Sequence, residues 1–292
     1  MVKSFVVGNV ALDETLSVAG FPTPGASIFG TALSRDLGGK GANQAIVLAR
    51  TGLPCRFTAA VGADARGRDI ARRLAAEPLE ARLMELAEVP SDFSIILMAE
   101  EGENAVITTR EAAAGLSPDL ARSALDTAGP GDLLVLQGNL SGETTAALLR
   151  EARTRRMRTA MNPSPLQEHF QDLWPLLDMV FVNEGEAQAL GGVDHLRAEG
   201  VAQVVLTLGS RGAALIDAAG HRAVPGVPCA VVDTTGAGDC FMAVSLGSAM
   251  LRGTGLDPKA LEHAARAAAH TVARPGTVGA FPTGAELARM LV

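Results

Sequence analysis

One short stretch, Asp233-Thr234-Thr235-Gly236-Ala237-Gly238-Asp239, constrains the fold of this chain more than any other. The β-branched run before it, residues 229–232, predicts a strand, and the apolar run after it, residues 240–251, predicts a buried helix. A glycine turn that opens a helix leaves free backbone N–H groups at the positive end of the helix dipole, where an anion can bind. The stretch therefore predicts a strand, a tight turn and an anion-binding helix start.

Asp239 ends this stretch and would lie on the first turn of the helix, beside the anion. A carboxylate repels an anion that is merely bound, but it suits a base that takes a proton from a hydroxyl attacking a phosphoryl group. The amides around Gly236, Ala237 and Gly238 would then hold the oxygens of the transferring phosphoryl group. The alternative is a capped helix start without chemistry, and this stretch alone does not decide between the two.

A second glycine-rich stretch, Leu37-Gly38-Gly39-Lys40-Gly41-Ala42-Asn43-Gln44-Ala45, opens another predicted helix. Its glycines allow a loop to lie flat against a ligand. Lys40 can neutralise a phosphate or hydrogen-bond a hydroxyl, and Asn43 offers both a donor and an acceptor, as polyol recognition requires. The alternative is a flexible turn before a helix.

Together, the two stretches resemble the signatures of the ribokinase-like family of sugar and nucleoside kinases (the phosphofructokinase-B superfamily), GGKGxN followed by DTxGAGD. The resemblance implies an α/β fold: a central, mostly parallel sheet flanked by helices on both faces, with a small β-sheet lid. It also implies ATP-dependent phosphorylation of a hydroxymethyl group of a small sugar, as in ribokinases. A nucleoside kinase of the same family is the alternative. A non-catalytic sugar or nucleotide sensor would not need Asp239, so the presence of that residue favours an enzyme.

The composition agrees with a globular enzyme and excludes other classes. The chain has 292 residues and a net charge of −7, and it has no basic cluster of the kind that binds nucleic acid. Three scattered cysteines, Cys55, Cys229 and Cys240, form no metal or disulfide pattern and suit a reducing cytoplasm. The chain shows no signal peptide, and no apolar run approaches the roughly 20 residues of a membrane span. We expect a cytoplasmic protein that binds neither nucleic acid nor membranes.

Two other nucleotide-binding patterns are absent from the sequence. No GxxxxGK[ST] run occurs, which excludes a P-loop kinase. Gly236 and Gly238 are not followed by the third glycine of a dinucleotide-binding fingerprint, which argues against a dehydrogenase.

The rest of the chain alternates between strand-like and helix-like patterns. We predict strands at residues 5–8, 55–62, 132–136, 159–161, 179–182 and 204–208, and helices at 64–74, 143–153, 240–252 and 258–273. Repeated βα units favour a mostly parallel sheet. Because no repeat or linker divides the chain, we expect a single kinase domain over residues 1–292.

Two segments, about 15–36 and 92–110, alternate between apolar and polar residues around turn-forming stretches. They predict two β excursions that could pair into one small sheet over the site. In the family such a lid closes on the sugar, and in ribokinases it also forms the dimer contact. The resemblance therefore implies a homodimer through the lid.

The resemblance assigns further site residues at the predicted strand ends. Asp13, Gly39, Lys40, Asn43 and Asn139 would bind the sugar; Asn183 and Glu186 would order Mg²⁺ and the phosphates; Thr207 and Gly209 would lie beside ATP; and Asp233, Thr235 and Gly276 would bind a monovalent cation such as K⁺. Spacing alone would favour a turn aspartate at position 13 and an acidic helix cap at 183–186.

The chain departs from the ribokinase pattern at three positions in or next to these predicted sites. Ala11 stands where ribokinases have an asparagine, and Asn139 stands where they have a glutamate, so two polar contacts with the sugar would be lost or weakened. Ala280 replaces a serine of the cation loop. A site that no longer pairs a hydroxyl loses its preference for the molecule that carries it. We therefore expect D-ribose to be a poor substrate and a nucleoside to be a candidate.

Overall fold

A computed structural model of the chain describes residues 2–99 and 103–292. The strands are β1 (Ser4–Val7), β2 (Ala11–Val18), β3 (Gly30–Gly38), β4 (Cys55–Gly62), β5 (Glu80–Leu86), β6 (Phe93–Ala99), β7 (Asn104–Thr108), β8 (Leu133–Gln137), β9 (Arg158–Asn162), β10 (Met179–Asn183), β11 (Gln203–Thr207), β12 (Ala213–Asp217) and β13 (Gly220–Val224). The α-helices are α1 (Lys40–Arg50), α2 (Ala65–Leu74), α3 (Glu111–Gly115), α4 (Pro118–Ser123), α5 (Gly142–Thr154), α6 (Glu184–Ala189), α7 (Val193–Ala198), α8 (Ala237–Arg252), α9 (Pro258–Val272) and α10 (Gly284–Met290). Short 3₁₀ helices span Glu168–Leu176 and Gly209–Arg211.

A nine-stranded sheet forms the centre of the fold, in the order β13-β12-β11-β10-β9-β8-β1-β4-β5. The strands from β11 to β5 run parallel, whereas β12 and β13 extend the sheet as an antiparallel edge. Strands covered on both faces need apolar residues throughout, and β8 meets this requirement because all five of its residues are buried. The sheet confirms the predicted mostly parallel architecture.

Helices cover both faces of this sheet and bury two separate apolar cores. Side chains alternate between the faces along a strand, so Val6 of β1 packs in one core while Phe5 and Val7 pack in the other. The first core includes residues of α1, α8 and α9, and the second includes residues of α5. This arrangement places the starts of α1 and α8 on the same side of the sheet, where both glycine-rich stretches lie.

The two predicted β segments pair into a four-stranded lid sheet, in the order β3-β2-β6-β7. Strand β2 pairs with β3 in antiparallel fashion and with β6 in parallel, and β7 closes the second hairpin. The first segment is longer than expected, because β2 begins at Ala11. Asp13 therefore lies within a strand, and the prediction that it lies in a loop after β1 was wrong. Within the second segment, residues 100–102 of the expected turn lie outside the described residues.

The predicted strand at residues 229–232 is absent: these residues form no strand, and Val231 and Val232 are exposed. The amides of Val232 and Asp233 donate to the carbonyl of Val272, at the end of α9, instead of joining the sheet. β-branched residues favour strands only when a pleated neighbour is available to pack against them. Strand β5 and the antiparallel pair β12–β13 were not predicted. Among the described residues, no helix combines the length and apolar character needed to cross a bilayer.

Candidate active site

Asp239 lies on the first turn of α8, at the carboxyl-terminal edge of the large sheet. Its side chain is only 6% exposed, and it borders a cavity of about 240 Å³. The cavity is lined by Lys40, Asn162, Phe181, Val182, Asn183, Glu186, Thr207, Thr234, Gly236, Gly238, Asp239 and Met242. Loops beyond the carboxyl ends of parallel strands are where α/β proteins bind ligands, and β9, β10 and β11 end here.

Gly236 starts α8 from a left-handed conformation, with φ 73°. A Cβ at this position would lie 2.8 Å from Cε1 of Phe281, so both backbone conformation and packing require glycine here. The Ala237 amide donates to the carbonyl of Thr234 at 3.2 Å, which closes the turn. The turn therefore aims the first turn of α8, including Gly238 and Asp239, at the cavity, while the Ala237 amide is engaged in the turn itself.

Three side-chain amides hold Asp239 in place. Asn43 Nδ2 donates to Asp239 Oδ2 at 3.0 Å, and Gln44 Nε2 donates to Asp239 Oδ1 at 2.9 Å. Gln137 Nε2 in turn donates to Gln44 Oε1 at 2.7 Å, which orients the Gln44 amide. These hydrogen bonds fix the orientation of the Asp239 carboxylate at the N-terminus of α8.

Three of the residues predicted to bind the sugar carry a buried acceptor atom that has no protein partner among the described residues: Asp13 Oδ1, Asn43 Oδ1 and Asn139 Oδ1. Their side chains are 9%, 5% and 9% exposed. Buried polar atoms in native proteins are nearly always paired, so unpaired ones mark a place where water or a ligand binds. Acceptor oxygens of this kind suit the hydroxyl groups of a sugar.

Asp13 is the most constrained of these groups. A Cβ at Gly38 would lie 1.8 Å from Asp13 Oδ2, so only glycine at position 38 leaves room for this carboxylate. Burial raises the pKa of Asp13; a hydrogen bond with Ser94 opposes this, and the charges of Asp36 and Asp239 raise it further. A ligand that donates hydrogen bonds to Asp13 would offset these costs.

Gly39 and Lys40 lie where the lid strand β3 passes into helix α1. Gly39 caps α1 with φ 92°, and Lys40 is the first residue of the helix. Lys40 lines the same cavity as Asp239, where its ammonium can offset the charge of a phosphate.

Asn183 and Glu186 line this cavity and also form a capping box at the start of α6. Asn183 Oδ1 accepts from the Glu186 amide at 2.8 Å, and Glu186 Oε2 accepts from the Asn183 amide at 3.0 Å. The alternative of an acidic helix cap is therefore realised in the structure. It does not conflict with a magnesium role, because a carboxylate oxygen has lone pairs beyond the one used in the cap.

A second cavity, of about 250 Å³, adjoins the first and shares Thr207, Thr234 and Gly238 with it. Gly209 lies on its wall, with φ 60°. The remaining lining is largely apolar: Val227, Val231, Phe241, Ala265, Ala268, Ala269 and Val272, with Ser210, Gly212, Gly226, Cys229 and Ala237. This apolar cavity lies next to the start of α8, and the exposed Val231 forms part of its wall.

Asp233 joins the glycine turn to the loop that follows α9. Its Oδ1 accepts from the Thr235 amide at 2.9 Å, and its Oδ2 accepts from the Gly276 amide at 3.0 Å. Ala280 is fully buried and offers no side-chain oxygen to a cation. Arg50 anchors the same loop, because its guanidinium donates to the carbonyls of Val278 and Phe281.

Within residues 2–99 and 103–292, no group of three or more His, Cys, Asp or Glu side chains could hold a metal ion. This finding fits Mg²⁺, which takes one or two carboxylates and otherwise binds phosphates and waters. Glu186 and Asn183 supply hard oxygen atoms of the type that this ion prefers. The residues present therefore fit magnesium bound together with a nucleotide.

Sequence reasoning missed Gln44, Gln137 and Asp36 as parts of this site. Gln44 and Asp239 are 195 residues apart, so no local pattern could reveal their contact. The available signal was a glutamine within an otherwise apolar helix, since a fully buried polar side chain requires a partner. Asp36 became visible only through its pairing with Asp13 across β2 and β3.

Comparisons with known proteins identify the family and the fold. The family described as pfkB family carbohydrate kinase matches residues 1–284. The ribokinase of Haemophilus influenzae is 28% identical over 301 residues, which covers 98% of this chain and 97% of that protein. The crystal structure of ribokinase from Thermotoga maritima superposes with a TM-score of 0.90 at 26% identity, covering 100% of this chain and 99% of the other.

The nucleoside kinase of Methanocaldococcus jannaschii shares the fold, with a TM-score of 0.84 at 21% identity and coverage of 100% and 98%. The fold therefore does not separate sugar kinases from nucleoside kinases. The match along nearly the whole chain nonetheless assigns the family: this chain belongs to the pfkB family of carbohydrate kinases, which confirms the prediction of an ATP-dependent carbohydrate kinase.

Proposed function

We propose that this kinase transfers the γ-phosphoryl group of ATP to a hydroxymethyl group of a small sugar, with Asp239 as the general base. The observation that carries the proposal is the position of Asp239: it is buried, held by Asn43 and Gln44, and placed on the first turn of α8 beside the cavity. A base must lie within hydrogen-bond reach of the proton it removes, and the neighbouring unpaired acceptors would hold a sugar close by.

In this mechanism each group has a separate task. Asp239 accepts the proton of the attacking hydroxyl, and the start of α8 around Gly236, Ala237 and Gly238 stabilises the negative charge on the transferring group. Lys40, which lines the same cavity, offsets phosphate charge. Glu186 and Asn183 would hold Mg²⁺, which offsets charge on the phosphates when it is bound. Thr207 and Gly209 would position the nucleotide.

Asp13, Asn43 and Asn139 would bind the sugar hydroxyls, with the backbone at Gly39 and the ammonium of Lys40 beside them. A nucleoside acceptor is the second candidate. It is supported at position 11, where a fully buried methyl group replaces a polar contact, and at Asn139, whose neutral amide replaces a carboxylate.

We propose further that the whole chain acts as one catalytic domain with its lid, and that it works in a cytoplasmic compartment. The thiols of Cys55, Cys229 and Cys240 are all free. Burial raises the pKa of Cys55 and of Cys240 to about 12, which keeps both thiols protonated and unreactive.

The base assignment gives the first prediction. Asp239→Asn should lower kcat by roughly 10²–10⁴-fold, because an amide cannot accept the proton, while the fold and ATP binding persist. Steady-state kinetics and thermal unfolding would measure both effects. Asp257→Asn is the matched control, since Asp257 caps α9 away from the cavity. Near wild-type turnover in Asp239→Asn would contradict the assignment.

The second prediction concerns ions. Activity should require Mg²⁺ and should rise with K⁺, because Asp233, Thr235 and Gly276 match the positions that bind a monovalent cation in the family, and Asp233 connects the glycine turn to the Gly276 loop. Rates measured in potassium, in sodium and in a large organic cation test the second part. The absence of a side-chain oxygen at Ala280 should make the activation modest, and equal rates in all three salts would rule it out.

The third prediction concerns assembly. Several large apolar side chains of the lid are exposed, namely Phe29, Leu33, Val106 and Ile107. Exposed apolar surface on a small sheet with free edges favours a second copy as its cover. Analytical ultracentrifugation should therefore detect a dimer at micromolar protein. The substitutions Phe29→Ser and Ile107→Ser should weaken dimerisation. A wild-type protein that sediments only as a monomer would refute the dimer.

The fourth prediction concerns the acceptor. ADP formation should be measurable with at least one member of a panel of pentoses, hexoses and nucleosides, but D-ribose should be a poor substrate. The expected kcat/KM for ribose lies below ~10⁴ M⁻¹s⁻¹, a value that is ordinary for an enzyme on its own substrate. A higher value would show that Ala11 and Asn139 do not reduce the activity of the enzyme toward ribose. ADP formation with no member of the panel would contradict the proposed function.

A further inference from the structure

Two carboxylates face each other on the lid strands that border the sugar side of the site. Asp13 of β2 is directly opposite Asp36 of β3 in the antiparallel register. Side chains of such a pair lie on the same face, with Cβ atoms about 4.5–5.5 Å apart, and like charges in this position are destabilising. The Asp13–Asp36 pair therefore destabilises the ligand-free protein, and its presence needs an explanation.

The next pair in the register shows how this chain treats charge elsewhere on the same strands. Glu14 and Arg35 lie opposite each other, on the other face of the sheet, and form an ion pair of 3.5 Å. No ion pair among the described residues involves Asp13 or Asp36. On one face of the lid sheet the negative charge of Glu14 is therefore balanced by Arg35. On the face that carries Asp13 and Asp36, two negative charges are left without a positive partner in the described part of the chain.

Asp13 is buried and has an unpaired oxygen, and a bound ligand would account for both features. Asp13 is 9% exposed, and its Oδ1 has no hydrogen-bond partner among the described residues. Asp36 is less buried, and its Oδ2 lies 3.7 Å from the place that a Cβ of Gly276 would occupy, so it faces the loop that borders the site. The charges of Asp36 and Asp239 add to burial in raising the pKa of Asp13.

We propose that Asp13 and Asp36 together bind a protonated primary amine on the sugar, on the side of the ring away from the hydroxymethyl group that Asp239 activates. This inference rests on the proposed function and specifies its substrate class as an amino sugar. An ammonium group has three donors and one positive charge, so it can hydrogen-bond both carboxylates and offset their repulsion. A neutral hydroxyl donates a single proton and leaves the repulsion in place.

Matched pairs of sugars that differ only in charge test the proposal. D-glucosamine, D-galactosamine and D-mannosamine carry their amine across the ring from the carbon that bears the hydroxymethyl group, and their parent hexoses carry a hydroxyl there. Dissociation constants from calorimetry should favour at least one amino sugar over its parent by about 10- to 100-fold, the range for a charge-assisted hydrogen bond. N-acetylglucosamine, which has no charge, should lose this advantage.

The variant Asp36→Asn should reduce the preference for the amino sugar over its neutral parent to near parity. Glu14→Gln is the matched control, because it removes the same charge one residue from Asp13 on the opposite face, and it should keep the preference. The proposal is overturned if wild type favours none of the three amino sugars, including the case in which it binds neither member of each pair. It is also overturned if Asp36→Asn retains the preference.

Phosphorylation of the same sugars separates this inference from the function on which it rests. Turnover of a neutral sugar, without any preference for amino sugars, would contradict the proposed amine site but would support the proposed kinase activity. Amine-selective binding without ADP formation from any sugar or nucleoside would support the amine site and contradict the proposed transfer.

Discussion

The hydrogen bonds that Asn43 and Gln44 donate to Asp239 are the interaction on which the rest of this site depends. They join the start of α1 to the start of α8, two helices that begin almost 200 residues apart along the chain. A buried polar group costs free energy unless it is hydrogen-bonded, and these amides supply a partner for each oxygen of Asp239. Gln137 extends the same network to the end of β8. Any change that moves α1 against α8 would move the base as well.

In the proposed mechanism the two sheets would serve different substrates. The large sheet would hold the nucleotide, because the ends of β10 and β11 carry Asn183 and Thr207 beside the turn before α8. The smaller sheet would hold the sugar, with Asp13 and Asp36 on neighbouring strands. Gly38 and Gly39 lie at the junction between the layers, and the close packing of Asp13 against Gly38 shows why glycine is needed there. Specificity can thus change on the lid while the phosphoryl-transfer side stays the same.

The sequence was most informative where local chemistry alone determines structure. Glycines that need positive φ, at 39 and 236, marked both helix starts, and the buried strands of the parallel sheet are apolar enough to be recognised. The valines at 231 and 232 suggested a strand but are exposed, and Val231 lines an apolar cavity. A β-branched residue does not reveal whether a neighbouring strand will cover it. The amide network and the Asp13–Asp36 pair could not be predicted, since each depends on contacts between distant or newly paired segments. The apolar cavity beside α8 was missed for the same reason: its walls come from four separate parts of the chain.

The most direct test of the account is a crystal structure with a non-hydrolysable ATP analogue and the best acceptor from the substrate panel. The account predicts that the acceptor's hydroxymethyl oxygen lies about 2.6–3.2 Å from a carboxylate oxygen of Asp239, in line with a γ-phosphate bound at the start of α8. It also predicts that the nucleotide base occupies the apolar cavity lined by Val231 and Phe241. An acceptor hydroxyl that points away from Asp239, or a nucleotide bound elsewhere, would contradict the central claim.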